Sequence, residues 1–282
     1  MLPSLLLAVA VPATLVLLFV AEHVRPLRVA RAPLARRLPV NVLLAGLTLA
    51  LSGLLVQPVA LWLAGRPLPG LLSLLPPVLR PVVGFLLLDL TFYWWHRANH
   101  TVGLLWRFHA AHHGDPDMDV TTAIRFHPGE IVLSLGFRVA QVVVLGASLG
   151  LWAAYELVFQ LAVLLHHSNL RLPLGLERAL NLVLVTPRMH GIHHSEVRAE
   201  ANTNFATVLP WWDRVHRTLR LNVPQAALTI GLPALDAARD NTWAAVLAQP
   251  CSSARSLWLR RDGSSPHRDP AVLDRPPARL AA

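Results

Sequence analysis

Apolar stretches with few charges alternate with short polar segments along this chain. The long ones cover residues 3–22, 40–64, 82–95 and 131–165. A helix that crosses a membrane needs roughly 20 mostly apolar residues. The pattern predicts one helix over each of the first three stretches. The fourth is too long for one crossing, so it predicts a helical hairpin. The leucine- and proline-rich segment 65–81 predicts a short external or re-entrant connection.

The arginines indicate the orientation of these helices. Five of them follow the first apolar stretch, at Arg25, Arg28, Arg31, Arg36 and Arg37. Cytoplasmic loops carry an excess of basic residues, so this loop is expected to be cytoplasmic. A cleaved signal peptide is the alternative explanation of the first apolar stretch. No basic residue precedes that stretch and no clear small-residue cleavage site follows it, which favours a retained helix.

The composition supports a membrane protein. The chain has 282 residues, 54% hydrophobic and 15% charged, whereas soluble proteins carry about 25% charged residues. The formal charge of +9 could indicate nucleic-acid binding. Arginines also orient membrane proteins and bind anionic lipids, and no nucleic-acid motif is present. We therefore expect the lipid bilayer as a partner and no nucleic acid. Cys251 is alone, which excludes an internal disulfide and a cysteine-based metal site.

The fold predicted from these patterns is an all-α integral membrane protein. It has about four to five transmembrane or re-entrant helices and a cytoplasmic helical cap that is rich in histidine. Residues 1–250 form one membrane-embedded domain, within which 205–250 is partly amphipathic and packs against the site or the membrane surface. Residues 251–282 are rich in Arg, Pro, Ser and Asp, which predicts a disordered cytoplasmic tail.

Ten of the fourteen histidines form tight clusters beside the apolar stretches. Imidazole is the commonest metal ligand in proteins, and helical spacings of three and four residues place side chains on one face. One ion holds about four to six ligands, so the number of histidines predicts two ions in one all-imidazole site. The clusters are His96-x3-His100, His109-x2-His112-His113, His166-His167 and His190-x2-His193-His194.

Ligand type alone leaves iron, copper, zinc and nickel open, and the absence of an HExxH motif disfavours a zinc protease. Carboxylates and amides beside ligating histidines orient their rings. Asp89 lies seven residues before His96, in an apolar segment where a bare charge is costly. It is predicted to orient His96 or His100. Asn169 and Asn204 are further candidate polar partners.

The order of these motifs resembles the fatty acid hydroxylase / sterol desaturase superfamily of membrane di-iron enzymes, and most closely its bacterial sterol desaturase type. The resemblance covers about residues 85–220. The motifs are Asp89, Trp95-His96-Arg97-x2-His100, Trp106-Arg107-Phe108-His109-x2-His112-His113, Thr121-Thr122-Ala123-x-Arg125-Phe126-His127-Pro128, His167-Ser168-Asn169, His190-Gly191-Ile192-His193-His194 and Trp211-Trp212-Asp213-Arg214.

The resemblance implies a set of metal ligands. His166 is an alternative to its neighbour His167. The stretch from Phe126 to Gly129 is also similar to the haem-binding HPGG of cytochrome b5, but its surroundings are of the hydroxylase type and no b5 core accompanies it. The implied ligands are His96, His100, His109, His112, His113, His127, His167, His190, His193 and His194.

The resemblance also implies an activity. The chain would be a non-haem di-iron oxidoreductase that uses O2 to hydroxylate or desaturate a lipid, whether sterol-like, fatty acyl, carotenoid or ether lipid. Its cofactors would be two iron ions, with zinc as an alternative occupant in purified or crystallised protein. Electrons would come from a separate ferredoxin- or cytochrome-type carrier with an NAD(P)H reductase, since no GxGxxG follows a strand here. The expected location is the bacterial inner membrane, with the metals on the cytoplasmic side.

Two other functions remain open from the sequence. A histidine-rich metal transporter needs polar groups along its spans, but Asp89, Arg138 and Glu156 form no evident path. A zinc-dependent membrane hydrolase needs a carboxylate base. Glu130 or Glu196 could serve, although neither has the protease spacing.

Overall fold

The computed structural model describes residues 2–252 and 256–269, with side chains from residue 8 onward. Twelve α-helices and no named strand occur in these residues, as expected for an all-α protein. The helices are α1 (Leu2–Val24), α2 (Leu34–Leu51), α3 (Gln57–Ala64), α4 (Arg80–Thr101), α5 (Gly103–His113), α6 (Pro128–Leu145), α7 (Leu149–His167), α8 (Leu174–Leu180), α9 (Pro187–His193), α10 (Arg198–Ala201), α11 (Trp211–Val215) and α12 (Trp243–Ala248).

Three helical segments in the described residues are long and apolar enough to cross a membrane. They are Leu34–Ala64, Pro128–Leu145 and Leu149–His167, and a shorter apolar helix covers Ala8–Val24. The predicted crossing at 82–95 forms the longer helix α4, which is not among the three because polar side chains interrupt its apolar pattern.

A π-helical turn joins α2 and α3 into one continuous helical segment. This turn covers Ser52–Val56, and the chain enters and leaves it with ordinary helical dihedrals. A π-turn changes the helical register, so α2 and α3 present different faces to their neighbours. Such turns are frequent at functional sites.

The long apolar stretch 131–165 forms the predicted hairpin. Helix α6 ends at Gly146, which has a φ of +66°, and Ser148 caps the start of α7. A side chain at Gly146 would also meet the carbonyl oxygen of Leu68 at 2.8 Å. Glycine is therefore required there by both conformation and space.

The main apolar core lies between α1, α4 and α7. Leu18, Leu88, Trp152 and Tyr155 belong to one buried cluster that joins these helices. In a bilayer the surrounding lipid is also apolar, so close packing of these side chains holds the helices together. It also fixes the ends of α4 and α7, where two of the histidine clusters lie.

A buried charge network joins α2 to the segment that follows α5. Arg37 donates to Asp115 at 2.7 Å and to Asp119 at 2.6 Å. Asn41 donates to Asp115 at 3.0 Å and accepts from Arg125 at 2.8 Å. Each buried charge has an opposite charge or a hydrogen-bond partner, as burial requires. The network holds the chain just after the His109–His113 cluster.

Part of the predicted tail packs against the domain. The indole of Trp258 is 8% exposed and stacks on Trp106 with ring centroids 5.0 Å apart. Arg268 donates to Glu200 at 2.7 Å. Residues 256–269 thus differ from the predicted disorder, because Trp258 and Arg268 supply the apolar and ionic anchors. Residues 253–255 and 270–282 lie outside the described part.

Candidate metal centre

Nine histidines converge in two groups of potential metal ligands. Within each group, one nitrogen of every histidine lies within 4.8 Å of the others. All of them are buried except His100, which is half-buried. The first group contains His96, His100, His109, His113 and His193, and the second contains His112, His167, His190 and His194.

Helices α4, α5, α7 and α9 bring these side chains together. Helix α4 carries His96 and His100 on one face, since four residues make about one turn. Successive residues on a helix point about 100° apart, so His112 and His113 of α5 enter different groups. The same holds for His193, the last residue of α9, and for the next residue, His194.

Backbone carbonyls fix the rings of the first group. The Nδ1 of His96 bonds the carbonyl oxygen of Phe205 at 2.8 Å. The Nδ1 of His193 bonds the carbonyl oxygen of Thr203 at the same distance. A carbonyl can only accept, so each Nδ1 carries the proton and each Nε2 presents a lone pair.

A carboxylate holds a third ring of this group. The Nδ1 of His109 lies 2.9 Å from Oε1 of Glu130, and both side chains are buried. Glu130 stands in the first turn of α6, whose N-terminus favours a negative charge. The contact aims the Nε2 of His109 at the site, where it has no hydrogen-bond partner among the described residues.

The second group is held in the same manner. The Nδ1 of His112 bonds the carbonyl oxygen of Arg125 at 3.2 Å, and that of His167 bonds the carbonyl oxygen of Val163 at 2.8 Å. Both rings again have Nδ1 protonated and Nε2 free. The rings of His112 and His167 are thus oriented by an acceptor behind each of them, as in protein metal sites.

The donor set fits metal cations. The Nε2 atoms of His112 and His167 are 3.0 Å apart, as are those of His167 and His190, and those of His190 and His194 are 3.2 Å apart. The Nε2 lone pairs of His112 and His167 point at each other. These lone pairs repel unless a cation lies between them. The Nε2 atoms of His109, His113 and His193 are also buried, and none has a hydrogen-bond partner in the described part of the chain. Buried polar atoms rarely remain unpaired without a functional reason.

Burial keeps these imidazoles neutral, which is the form that binds metal. It lowers the pKa of His193 to about 3. It also lowers the pKa values of His112, His113, His190 and His194 well below their usual range. The charged form is disfavoured in a dry interior, so the lone pairs remain available well below neutral pH.

The loop between α10 and α11 supports two of the carbonyl contacts. Asn204 has a φ of +56° and donates to the carbonyl oxygens of Met189 and Arg220, each at 2.8 Å. Asp213 accepts from the backbone N–H groups of Phe205 and Ala206, each at 2.9 Å. These contacts position the peptide groups on both sides of Asn204. The carbonyl of Thr203 holds His193, and the carbonyl of Phe205 holds His96.

The remaining predicted partners lie away from the rings. Asp89 accepts from the Trp212 indole at 2.8 Å and from the Leu209 N–H at 3.1 Å. It does not orient His96 directly as predicted, because seven residues of helix separate the two by about 10 Å. Asn169 exchanges hydrogen bonds with the backbone of Arg28 and ties the end of α7 to the segment after α1.

His127 and His166 stand outside both groups. The Nδ1 of His127 accepts from the Gly129 N–H at 2.9 Å and caps α6, while its Nε2 lies 3.2 Å from the carbonyl oxygen of Leu247. The ring of His166 lies 4.1 Å from that of His190. Of the two neighbours left open by the sequence, the structure places His167 within a group.

A cavity of about 200 Å³ reaches the histidines from between α2, α4, α6 and α7. Phe92, Phe126, Trp152 and Phe159 line it together with polar groups. A concave, mostly apolar space next to a few oriented polar groups is the usual form of a small-molecule site. The cavity can therefore accommodate an apolar molecule next to the metal ligands.

Sequence reasoning missed several groups that position the rings. It considered Glu130 only as a catalytic base, although its place in the first turn of α6 is a usable signal. Asp213 was noticed only within the Trp211–Arg214 motif. The carbonyls of Thr203, Phe205 and Arg125 leave no trace in the sequence, because every residue has a carbonyl.

Comparison with known proteins identifies the family. The family model described as fatty acid hydroxylase matches residues 81–218, which include all nine converging histidines. No solved structure matches the chain significantly.

Two relatives are similar over this part of the chain. The ornithine lipid hydroxylase OlsE of Rhizobium tropici is 34% identical over 178 residues, which are 63% of this chain and 52% of that protein. The alkylglycerol monooxygenase of Homo sapiens is 31% identical over 135 residues, 48% of this chain and 29% of that protein. The chain thus spans about half or less of the length of these relatives. Residues 81–218 of this chain therefore match the fatty acid hydroxylase family.

Proposed function

We propose that this protein is a membrane-bound non-haem di-iron oxidoreductase that hydroxylates or desaturates a lipid with O2. The observation that carries the proposal is the convergence of nine imidazoles, eight of them buried and several with Nε2 lone pairs directed at one another. All-nitrogen donor sets of this kind suit redox-active iron. Family membership favours iron over copper and nickel.

The two groups divide the proposed ligands between two ions. His96, His100, His109, His113 and His193 would hold one, and His112, His167, His190 and His194 the other. Iron bound there supplies, with O2 and electrons, the oxidising power that removes hydrogen from an unactivated C–H bond. His127 is proposed as a helix cap instead of a ligand, and His166 as a neighbour of His190.

The protein's own contribution is orientation and exclusion of water. Glu130 and the backbone carbonyls fix the rings, so the ligands need not reorganise during the reaction. The cavity walls hold an apolar lipid beside the ligands and keep the site dry. Three helices that can cross a membrane flank this cavity, so a lipid reaches it from the bilayer without crossing water.

The names of the relatives support a lipid substrate. One is described as an ornithine lipid hydroxylase and the other as an alkylglycerol monooxygenase. We propose that this chain oxidises a membrane lipid in the bacterial inner membrane, with the metals on the cytoplasmic side. We also propose that a separate ferredoxin- or cytochrome-type carrier with an NAD(P)H reductase supplies electrons there.

The test combines metal analysis with activity. The purified protein is expected to contain about two iron ions per chain and to form oxidised lipid only when O2 and a reductant are present. His112→Ala and His193→Ala should each lose metal and activity while still inserting into the membrane. His127→Ala is the matched control. It removes a helix cap worth about 1 kcal/mol and should retain the metal.

Two results would contradict the proposal. Full metal occupancy and turnover in both His112→Ala and His193→Ala would exclude the ligand assignment. Hydrolysis supported by zinc, or metal uptake into vesicles, would favour a hydrolase or a transporter. The substrate itself would come from comparing the lipid extracts of a deletion strain and its parent by mass spectrometry.

A further inference from the structure

Two opposite charges face each other in the apolar part of the helical hairpin. Nη1 of Arg138 on α6 lies 2.5 Å from Oε1 of Glu156 on α7, and the side chains are 11% and 5% exposed. Both helices are long and apolar enough to cross a membrane. Ionisable side chains within such segments are expensive and usually functional.

Fold stability does not account for this pair. Replacing a buried ion pair with apolar side chains of similar volume is often neutral or stabilising. The hairpin already has a tight turn at Gly146, and α7 is anchored in the main apolar core through Trp152 and Tyr155. The charges are therefore not needed to hold α6 against α7.

The pair lies in the wall of the cavity that reaches the metal ligands. Arg138 follows Glu130, the partner of His109, by eight residues of α6, or about 12 Å of helix. Glu156 precedes His167, a ligand of the second group, by eleven residues of α7, or about 16 Å. The pair thus lies about 12–16 Å along the two helices from the residues that hold or orient the metal ligands.

Aromatic side chains surround the hydrogen-bond donors and acceptors of the pair. The Arg138 guanidinium lies 5.1 Å from the ring centre of Phe92 and 5.2 Å from that of Phe159. Trp152 also lines the cavity, and its buried Nε1–H has no partner among the described residues. A buried donor without a protein partner is available to a polar group that enters the cavity.

We propose that Arg138, Glu156 and Trp152 form a polar subsite that binds a hydroxyl group of the lipid substrate, about 12–16 Å from the carbon that reacts. The two charges cancel, so the subsite suits an uncharged group. A hydroxyl accepts from the Trp152 indole or the guanidinium and donates to the carboxylate. The substrate is then a lipid with a hydroxyl far from its reacting end. This inference rests on the proposed function.

Binding of two matched probes tests the subsite. Stearic acid and 12-hydroxystearic acid differ by one hydroxyl, and their affinities for the purified full-length protein can be compared in detergent. We expect the hydroxylated probe to bind about tenfold more tightly, as a charge-assisted hydrogen bond would produce. The double variant Arg138→Met/Glu156→Leu removes both charges together and should bind the two probes equally.

Trp152→Phe keeps an aromatic ring but removes the indole N–H donor, and it leaves the ion pair intact. It should reduce the preference for 12-hydroxystearic acid. Gln141→Met is the control, because Gln141 is a buried polar residue of α6 that bonds Thr91 and does not line the cavity. It should keep the preference. The metal content of every variant reports whether the site still folds.

Equal affinity for the two probes in the unaltered protein, or a preference that survives both the double variant and Trp152→Phe, would overturn the subsite. The assay requires neither O2 nor turnover. A preference lost in those variants therefore supports the subsite independently of whether oxidised lipid is formed, so the two proposals fail separately.

Discussion

The single imidazole is the unit on which this site is built. Each fixed ring uses one nitrogen to bond an acceptor behind it, and its other nitrogen is left for the metal. The acceptor is a backbone carbonyl for His96, His193, His112 and His167, but a carboxylate for His109. Only the carboxylate can be removed by mutation without changing the backbone.

Glu130 therefore offers a direct test of ring orientation. Glu130→Ala leaves the Nδ1 of His109 without an acceptor, and loss of such a partner typically weakens metal binding about 10- to 100-fold. Metal retained after dialysis against a chelator is the measurement. Glu130→Gln keeps an amide oxygen at this position and should lose less. Equal retention in Glu130→Ala and the unaltered protein would show that the carboxylate does not hold the ring.

At the scale of elements, the short segments contribute as much as the long helices to the orientation of the histidine rings. The loop from Thr203 to Asp213 contains two of the carbonyls that orient ligands, and it is braced by side chains that touch no imidazole. Asp213 is fully buried and satisfies two backbone N–H groups of this loop. It connects α11 to the metal site.

We expect Asp213→Ala to remove metal although Asp213 contacts no histidine. It leaves the N–H groups of Phe205 and Ala206 buried and unsatisfied, at about 1–3 kcal/mol each, and frees the carbonyl that holds His96. Thermal unfolding and metal content should both decrease. Asp262→Ala is the comparison, since Asp262 is exposed and bonds Ser264 in its own turn. Loss of stability with unchanged metal content would show that the loop does not position the ring.

The long elements and the histidine sets could be predicted, whereas the connections between them could not. The length of the apolar stretch 131–165 predicts the hairpin of α6 and α7, and helical spacing predicts that the clustered histidines converge. The prediction that Asp89 orients His96 or His100 was wrong, because Asp89 bonds Trp212 and Leu209 instead. One helical face extends over several turns, so residues that share a face need not be in contact. The packing of Trp258 onto Trp106 depends on tertiary contacts that local composition does not encode.

For the whole molecule, the buried neutral histidines make the metal-free protein sensitive to acid. A histidine in the unfolded chain has a pKa near 6.5. In the folded protein, burial lowers the pKa of His193 to about 3. Below pH 6.5 the unfolded state binds more protons, so stability is present above that pH and is lost as the pH falls toward 3. Each such histidine contributes up to about 1.4 kcal/mol per pH unit.

The measurement is thermal unfolding of the chelator-treated protein from about pH 7.5 to about pH 5. The melting temperature should fall steeply below pH 6.5, and a variant that lacks His193 should show a shallower slope. A melting temperature independent of pH over this range would mean that these imidazoles are solvated or charged in the folded metal-free protein.

The assignment of neighbouring residues to different groups has a further consequence. His112 and His113 are consecutive, as are His193 and His194, yet one member of each pair enters each group. Releasing either ion would free rings on the same two short helices that frame the other. We therefore expect the two proposed ions to bind cooperatively, so that chains that contain a single ion are rarer than chains that contain both or none.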